Sequence, residues 1–118
     1  MIDVNGYDEL NELIWNNKEK IVLLYFGASW CGPCQQLKEK INQEKEELKD
    51  MIVLHLDCDA EDNEDIVKDW DISYLPTQIF VHLEGENVVK DDRIEGYDWI
   101  KLKMVYQEIK ENKGTKNN

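Results

Sequence analysis

Two cysteines three residues apart, Cys31 and Cys34, stand in the run Trp30-Cys31-Gly32-Pro33-Cys34. The run lies where an apolar stretch, Ile21 to Phe26, gives way to a polar stretch with helical spacing. A thiol at a helix start faces unpaired backbone N–H groups and the positive end of the helix dipole. Both favour thiolate over thiol and lower the cysteine pKa from its usual value of about 8.5. Gly32 and Pro33 suit a tight turn into a first helical turn, where the missing proline N–H costs nothing. Thiols placed this way can close a disulfide with little rearrangement. They point to dithiol–disulfide exchange, with Cys31 attacking and Cys34, one turn further in, resolving the mixed disulfide. A zinc site competes, because His55 and Cys58 complete a formal four-ligand set. Its geometry is poor, since residues three apart along a strand point to opposite faces.

The elements that must hold this pair are legible from hydrophobic periodicity. Ile21–Phe26, Ile52–Leu56 and Ile79–Leu83 are apolar runs of the kind found in strands covered on both faces. Val88–Ile94 is more polar and reads as an edge strand, and Ile2–Val4 as a short strand. Glu84-Gly85-Glu86-Asn87 joins the last two as an antiparallel hairpin. Helical spacing places Leu10, Leu13 and Ile14 on one face of Tyr7–Asn16. It also links Cys34, Leu37, Ile41 and Leu48, then Ile66, Val67 and Trp70, then Ile100, Met104, Val105 and Ile109. Strands separated by helices favour a parallel core. The expected fold is α/β, a central mixed sheet of four to five strands with helices on both faces. One domain over residues 1–112 and a polar tail over 113–118 account for the chain.

Composition removes several classes of function. Fourteen Lys and Arg against 26 Asp and Glu leave a formal charge of −12. Such a chain lacks the basic patch that nucleic acid or an anionic lipid surface requires. Its longest apolar run, Ile21–Phe26, is six residues long, against the roughly 18 of a spanning helix. Asp3, Asp8, Glu9 and Glu12 near the start do not suit a secretory signal, so a reducing, cytoplasmic setting is the expectation. The third cysteine, Cys58, lies between Asp57 and Asp59 at the end of what reads as the central strand. It reads as a semi-buried free thiol. Trp15, Trp70 and Trp99 read as core or boundary aromatics, and His82 as a strand residue satisfied by its neighbours. Asp57–Asp71 holds eight acidic residues and one Lys. If that stretch flanks the cysteines, it favours basic partners.

Trp-Cys-Gly-Pro-Cys after an apolar strand resembles the active-site motif of the thioredoxin family, over about residues 2–112. Pro76, in Tyr74-Leu75-Pro76-Thr77, stands where that family has a cis-proline facing the cysteines. The resemblance implies that Tyr74, Leu75, Pro76 and Gly96 line a substrate groove, with Leu75 offering its backbone to an extended chain. Trp30 would shape the surface beside the cysteines, and Gly85 matches the hairpin glycine. The implied function is reduction of protein disulfides by a monomer whose redox group is the Cys31–Cys34 disulfide, with no bound cofactor or metal. The implied electron donor is an NADPH-dependent thioredoxin reductase. Two alternatives are a specialised disulfide oxidase or isomerase-like domain, and a binding or assembly module with vestigial redox activity.

The departures from the family are specific. Tyr25 replaces the usual buried Asp that takes a proton from the second cysteine, and His55 replaces its usual Lys partner. A phenol, with a pKa near 10, is a poor base at neutral pH. The Tyr25–His55 pair therefore reads either as one polar core pair replacing another or as His55 assisting proton transfer from Cys34. Gln35 stands where a basic residue often follows the second cysteine, and Glu39 where many members carry a helix-kinking proline.

Overall fold

The computed structural model describes the backbone of residues 1–116 and side chains through residue 112. Its sheet contains β1 (Ile2–Val4), β2 (Ile21–Gly27), β3 (Met51–Asp57), β4 (Thr77–Glu84) and β5 (Asn87–Glu95). The order across the sheet is β1-β3-β2-β4-β5. β1, β3 and β2 run parallel, whereas β4 is antiparallel to both β2 and β5. The central strand is thus β2 and not β3, and the antiparallel pairing reaches inward to β2 rather than staying at the edge. Every residue of β2 is buried. Its run of branched and aromatic side chains is what a strand covered on both faces requires.

Alternation along the strands sorts the core into two layers. Val22, Leu24 and Phe26 face α1 (Tyr7–Asn16) and α3 (Glu64–Asp69), packing with Leu10, Ile14, Ile66 and Trp70. Ile21, Leu23 and Tyr25 face α2 (Gly32–Gln43) and α4 (Trp99–Lys116), packing with Cys34, Leu37, Ile41, Leu102, Val105 and Tyr106. The cysteine pair therefore belongs to the second layer. Asn63, fully buried in a single 3-10 turn (Glu61–Asn63), fastens the first. It accepts from the Gly6 N–H at 2.8 Å and donates to the carbonyls of Val4 and Asp57.

Two expectations from periodicity need correction. Leu48 is buried, but α2 ends at Gln43 and Leu48 reaches the core from the turns that follow. Trp15 is a boundary aromatic as expected, 46% exposed, with the Lys18 ammonium 3.6 Å from its ring centroid. Ile100 and Met104 are 74% and 59% exposed. Leu102 and Tyr106 set the buried face of α4, with Val105 and Ile109 beside them. Ile100 and Met104 each lie two residues from Leu102, about 200° around the helix. α4 also continues to Lys116, into the stretch expected as a polar tail. The rest of that expectation, at 113–118, falls outside the described side chains.

This division of α4 predicts a clear asymmetry. Leu102→Ala should cost about 2–5 kcal/mol of unfolding free energy. Ile100→Ala and Met104→Ala should each stay within about 0.5 kcal/mol of the unchanged protein. Urea denaturation of the three variants measures both.

Candidate active site

The polypeptide leaves β2 at Gly27 and enters α2 within five residues. Cys31 is the N-cap of α2, in extended conformation, and its sulfur accepts the Cys34 N–H at 3.2 Å. The Cys31 carbonyl accepts from Gln35, and the Cys31 N–H donates to Ala28. Pro33 occupies the first turn, where no N–H is missed. The two cysteines are joined as a disulfide, with Cα atoms 5.2 Å apart. Cys31 is 6% exposed and Cys34 0%. Of the pair, only Cys31 offers any surface to a reagent. α2 runs unbroken through Glu39.

Beneath the pair lies Tyr25, buried, its hydroxyl donating to the Cys34 carbonyl. Burial pushes the phenol up to about 12. The ring fits because residue 27 is glycine: a Cβ there would stand 2.9 Å from Tyr25 Cε1 and 3.2 Å from its hydroxyl. His55 pairs with Tyr25 across β2 and β3, ring centroids 5.1 Å apart. Its Nδ1 lies 2.9 Å from Asp3 Oδ1, on the side of the sheet edge. That contact lowers the Asp3 carboxyl from its ordinary value. The structure thus brings Tyr25 to Cys34 and His55 to Tyr25, while the hydrogen-bonding partner of His55 is Asp3.

The Leu75–Pro76 peptide is cis. Leu75 packs on both core layers, including the one that holds Cys31 and Cys34. Gly96, at φ +90, donates its N–H to the Pro76 carbonyl at 2.7 Å. A Cβ on Gly96 would come within 3.6 Å of the Tyr74 ring. Gly85 turns the hairpin at φ +64. Trp30, Tyr74 and Tyr97 are exposed aromatics, 70%, 57% and 39% respectively. The Trp30 indole donates to Asp59 Oδ2 at 2.6 Å, which brings the acidic stretch to the edge of the cysteine loop.

Cys58 packs on the opposite face of the sheet from Tyr25 and His55. Burial first, then Asp57 and Asp59, push its thiol up to about 11. Among the described residues, no three or more His, Cys, Asp and Glu converge as a metal cluster would. His82 is held between Asp91, at 2.7 Å, and Glu84, at 3.2 Å. Two site residues were missed in the sequence. Gln78 carried no signal beyond being a polar residue in an apolar strand. Gly27 stood out only as the last residue before the loop.

The thioredoxin family model matches residues 4–111. The chain belongs to the thioredoxin family. It is 32% identical over 87 residues to thioredoxin-T of Drosophila melanogaster, a match covering 74% of this chain and 54% of that protein. The chain thus spans about half the length of that relative. Its structure superposes on the thioredoxin of Trichomonas vaginalis with a TM-score of 0.82 at 28% identity, covering 92% and 96% of the two chains. A chain in a complex of ferredoxin:thioredoxin reductase with thioredoxin f2 gives 0.77 at 27% identity, covering 92% and 94%. The five-stranded mixed sheet with four helices is the thioredoxin fold. The family match and the joined cysteine pair are consistent with thiol–disulfide chemistry at Cys31 and Cys34.

Two outcomes follow from this geometry. Gly27→Ala should cost about 1–3 kcal/mol through overpacking. A double-mutant cycle by urea denaturation should show that penalty removed on a Tyr25→Ala background. After reduction, limiting iodoacetamide at pH 7.5 should label Cys31 well before Cys58, whose thiol stays protonated until near pH 11. Peptide mass spectrometry reads the order.

Proposed function

We propose that this protein reduces disulfides in protein substrates through the Cys31–Cys34 dithiol. The observation that carries the reading is the capped start of α2, where the Cys31 sulfur accepts a backbone N–H and alone of the pair reaches the surface. The same N–H, with the helix dipole, favours a thiolate on Cys31 once the disulfide is opened.

The reaction has two displacements. The Cys31 thiolate attacks one sulfur of the substrate disulfide and expels the other as a thiolate, which takes up a proton. Cys34 then loses its proton and attacks the Cys31 sulfur. The Cys31–Cys34 bond forms, the mixed disulfide breaks, and the second substrate thiol departs. Two electrons pass from the dithiol to the substrate, and neither displacement calls for a further redox group.

The exposed aromatics Trp30 and Tyr74 and the cis Leu75–Pro76 turn are read as the place where an extended substrate segment binds. The acidic stretch that reaches Trp30 through Asp59 favours basic segments. A reducing compartment such as the cytoplasm suits a dithiol carrier. The inferred electron donor is an NADPH-dependent thioredoxin reductase. The similar thioredoxin f2 is held in a complex with ferredoxin:thioredoxin reductase, which makes a ferredoxin-dependent donor the alternative.

Insulin reduction, followed by turbidity, tests the reading with dithiothreitol or either reductase system as donor. The unchanged protein should accelerate precipitation, and Cys31→Ser should abolish the acceleration. Cys34→Ser should stop turnover and accumulate a mixed disulfide visible by non-reducing electrophoresis. Equal rates for Cys31→Ser and the unchanged protein would sink the proposal.

A further inference from the structure

Asp3, His55, Tyr25 and Gln78 occupy one register row across β1, β3, β2 and β4. Partners in register on neighbouring strands point to the same face. The row therefore crosses the sheet on the face that carries α2. Its polar contacts diverge at the centre. Asp3 holds His55 at one end. Gln78, fully buried, donates Nε2 to the Gly96 carbonyl at 3.1 Å, and its Oε1 has no partner. Tyr25 bonds to neither neighbour in the row and donates instead to the Cys34 carbonyl. The missing side chain of Gly27 leaves room for its ring.

We propose that Tyr25 is the positioning residue of the resolving step. Its phenol fixes the first turn of α2 through the Cys34 carbonyl, and it fills the space beneath the dithiol with a donor, so that the Cys34 proton leaves on the substrate side. The inference rests on the dithiol reading above.

The titratable groups facing this place are few. α2 contributes Cys31 and Cys34 themselves. β3 contributes His55, which meets Tyr25 ring to ring and is engaged at Nδ1 by Asp3 of β1, and Asp57, which is in register with Gly27 and accepts the Asp59 N–H. Lys38 of α2 acts electrostatically on that same Asp3. α4 contributes Tyr106, buried, with no partner for its hydroxyl. β4 contributes the uncharged Gln78, and β5 the apolar Ile94. Burial keeps Tyr25 a neutral donor across the pH range in which thiols exchange. In the step itself, Cys34 S–H first loses its proton to solvent water or hydroxide, and the thiolate then attacks Cys31 Sγ. The Cys31–substrate bond breaks, and the departing substrate sulfur takes up a proton from the solvent side.

Reduced protein mixed with excess glutathione disulfide separates the steps. The concentration-dependent first phase forms the Cys31–glutathione mixed disulfide, identified by mass spectrometry of acid-quenched samples. Its absence overturns the dithiol reading and, with it, the Tyr25 proposal, whereas the outcomes of the second phase bear on Tyr25 alone. The concentration-independent second phase is resolution. In the unchanged protein its rate should rise with pH from 6 to 8, because the attacking species is the thiolate. Tyr25→Phe keeps the ring and removes the donor. It should leave the first phase unchanged and slow the second about three- to tenfold at every pH, the effect of one lost hydrogen bond. A second phase within twofold of the unchanged protein, or an equal fall in both phases, overturns the proposal. So does an inflection in the unchanged protein that His55→Ala removes, since the proton acceptor would then be His55.

Discussion

The hydrogen bond from the Cys34 N–H to the Cys31 sulfur is the contact on which the rest of the molecule converges. A helix start leaves four N–H groups without helical partners, and a Ser, Thr, Asp or Asn oxygen ordinarily answers one of them. Here a sulfur takes that place, so the device that starts the helix also tunes the thiol. The arrangement works only if the chain leaves a rigid strand at a fixed point and turns at once into α2. β2 supplies the rigidity, being central in the sheet and buried along its length. Pro33 supplies a pre-set backbone in the first turn without sacrificing a bond.

The two layers of the core divide the labour. The layer under α1 and α3 closes around Leu24, Phe26, Leu54 and Ile66, and its buried Asn63 has each side-chain polar atom hydrogen-bonded. The layer under α2 and α4 tolerates polar groups that a purely structural core would exclude. Tyr25 and Gln78 are both buried there, as is Tyr106. Gln78 Oε1 and the Tyr106 hydroxyl have no hydrogen-bond partner, and each such group costs about 1–3 kcal/mol. Apolar burial offsets that cost.

Much of this was legible in the sequence because it depends on local pattern. The run Ile21–Phe26, the turn chemistry of Gly32-Pro33 and the hairpin at Gly85 each declare themselves within a few residues. What escaped depends on neighbours brought from far along the chain. Ile100 and Met104 share helical spacing with Val105 and Ile109, and only the packing of Leu102 and Tyr106 against the sheet decides which stripe is buried. Leu48 has the right spacing to continue α2, yet reaches the core after the helix has ended. Asn63 is an acidic-loop residue by sequence, but its side chain joins β1, β3 and the start of α1 across more than fifty residues. The Tyr25–His55 pairing was visible as a departure from a pattern. The Tyr25 hydroxyl's actual partner, a backbone carbonyl, leaves no trace in side-chain identity.

The Trp30 indole on Asp59 ties the acidic stretch to the cysteine loop. The charges of that stretch are mostly solvent-exposed. Exposed charges are screened over about 8 Å at physiological ionic strength. A sulfur whose N–H partner is 3.2 Å away feels that dipole far more strongly than carboxylates scattered over a loop and a short helix. The chemistry of Cys31 is therefore set by the helix start. On the proposed function, the acidic surface acts at an earlier stage, on which charged partners approach and in what orientation, because complementary charge governs encounter more than the step that follows it. Reactivity and selectivity are thereby placed on different elements, one on α2 and the other on the loop after β3 and α3. A change of surface charge can then redirect partners without disturbing the exchange of sulfurs.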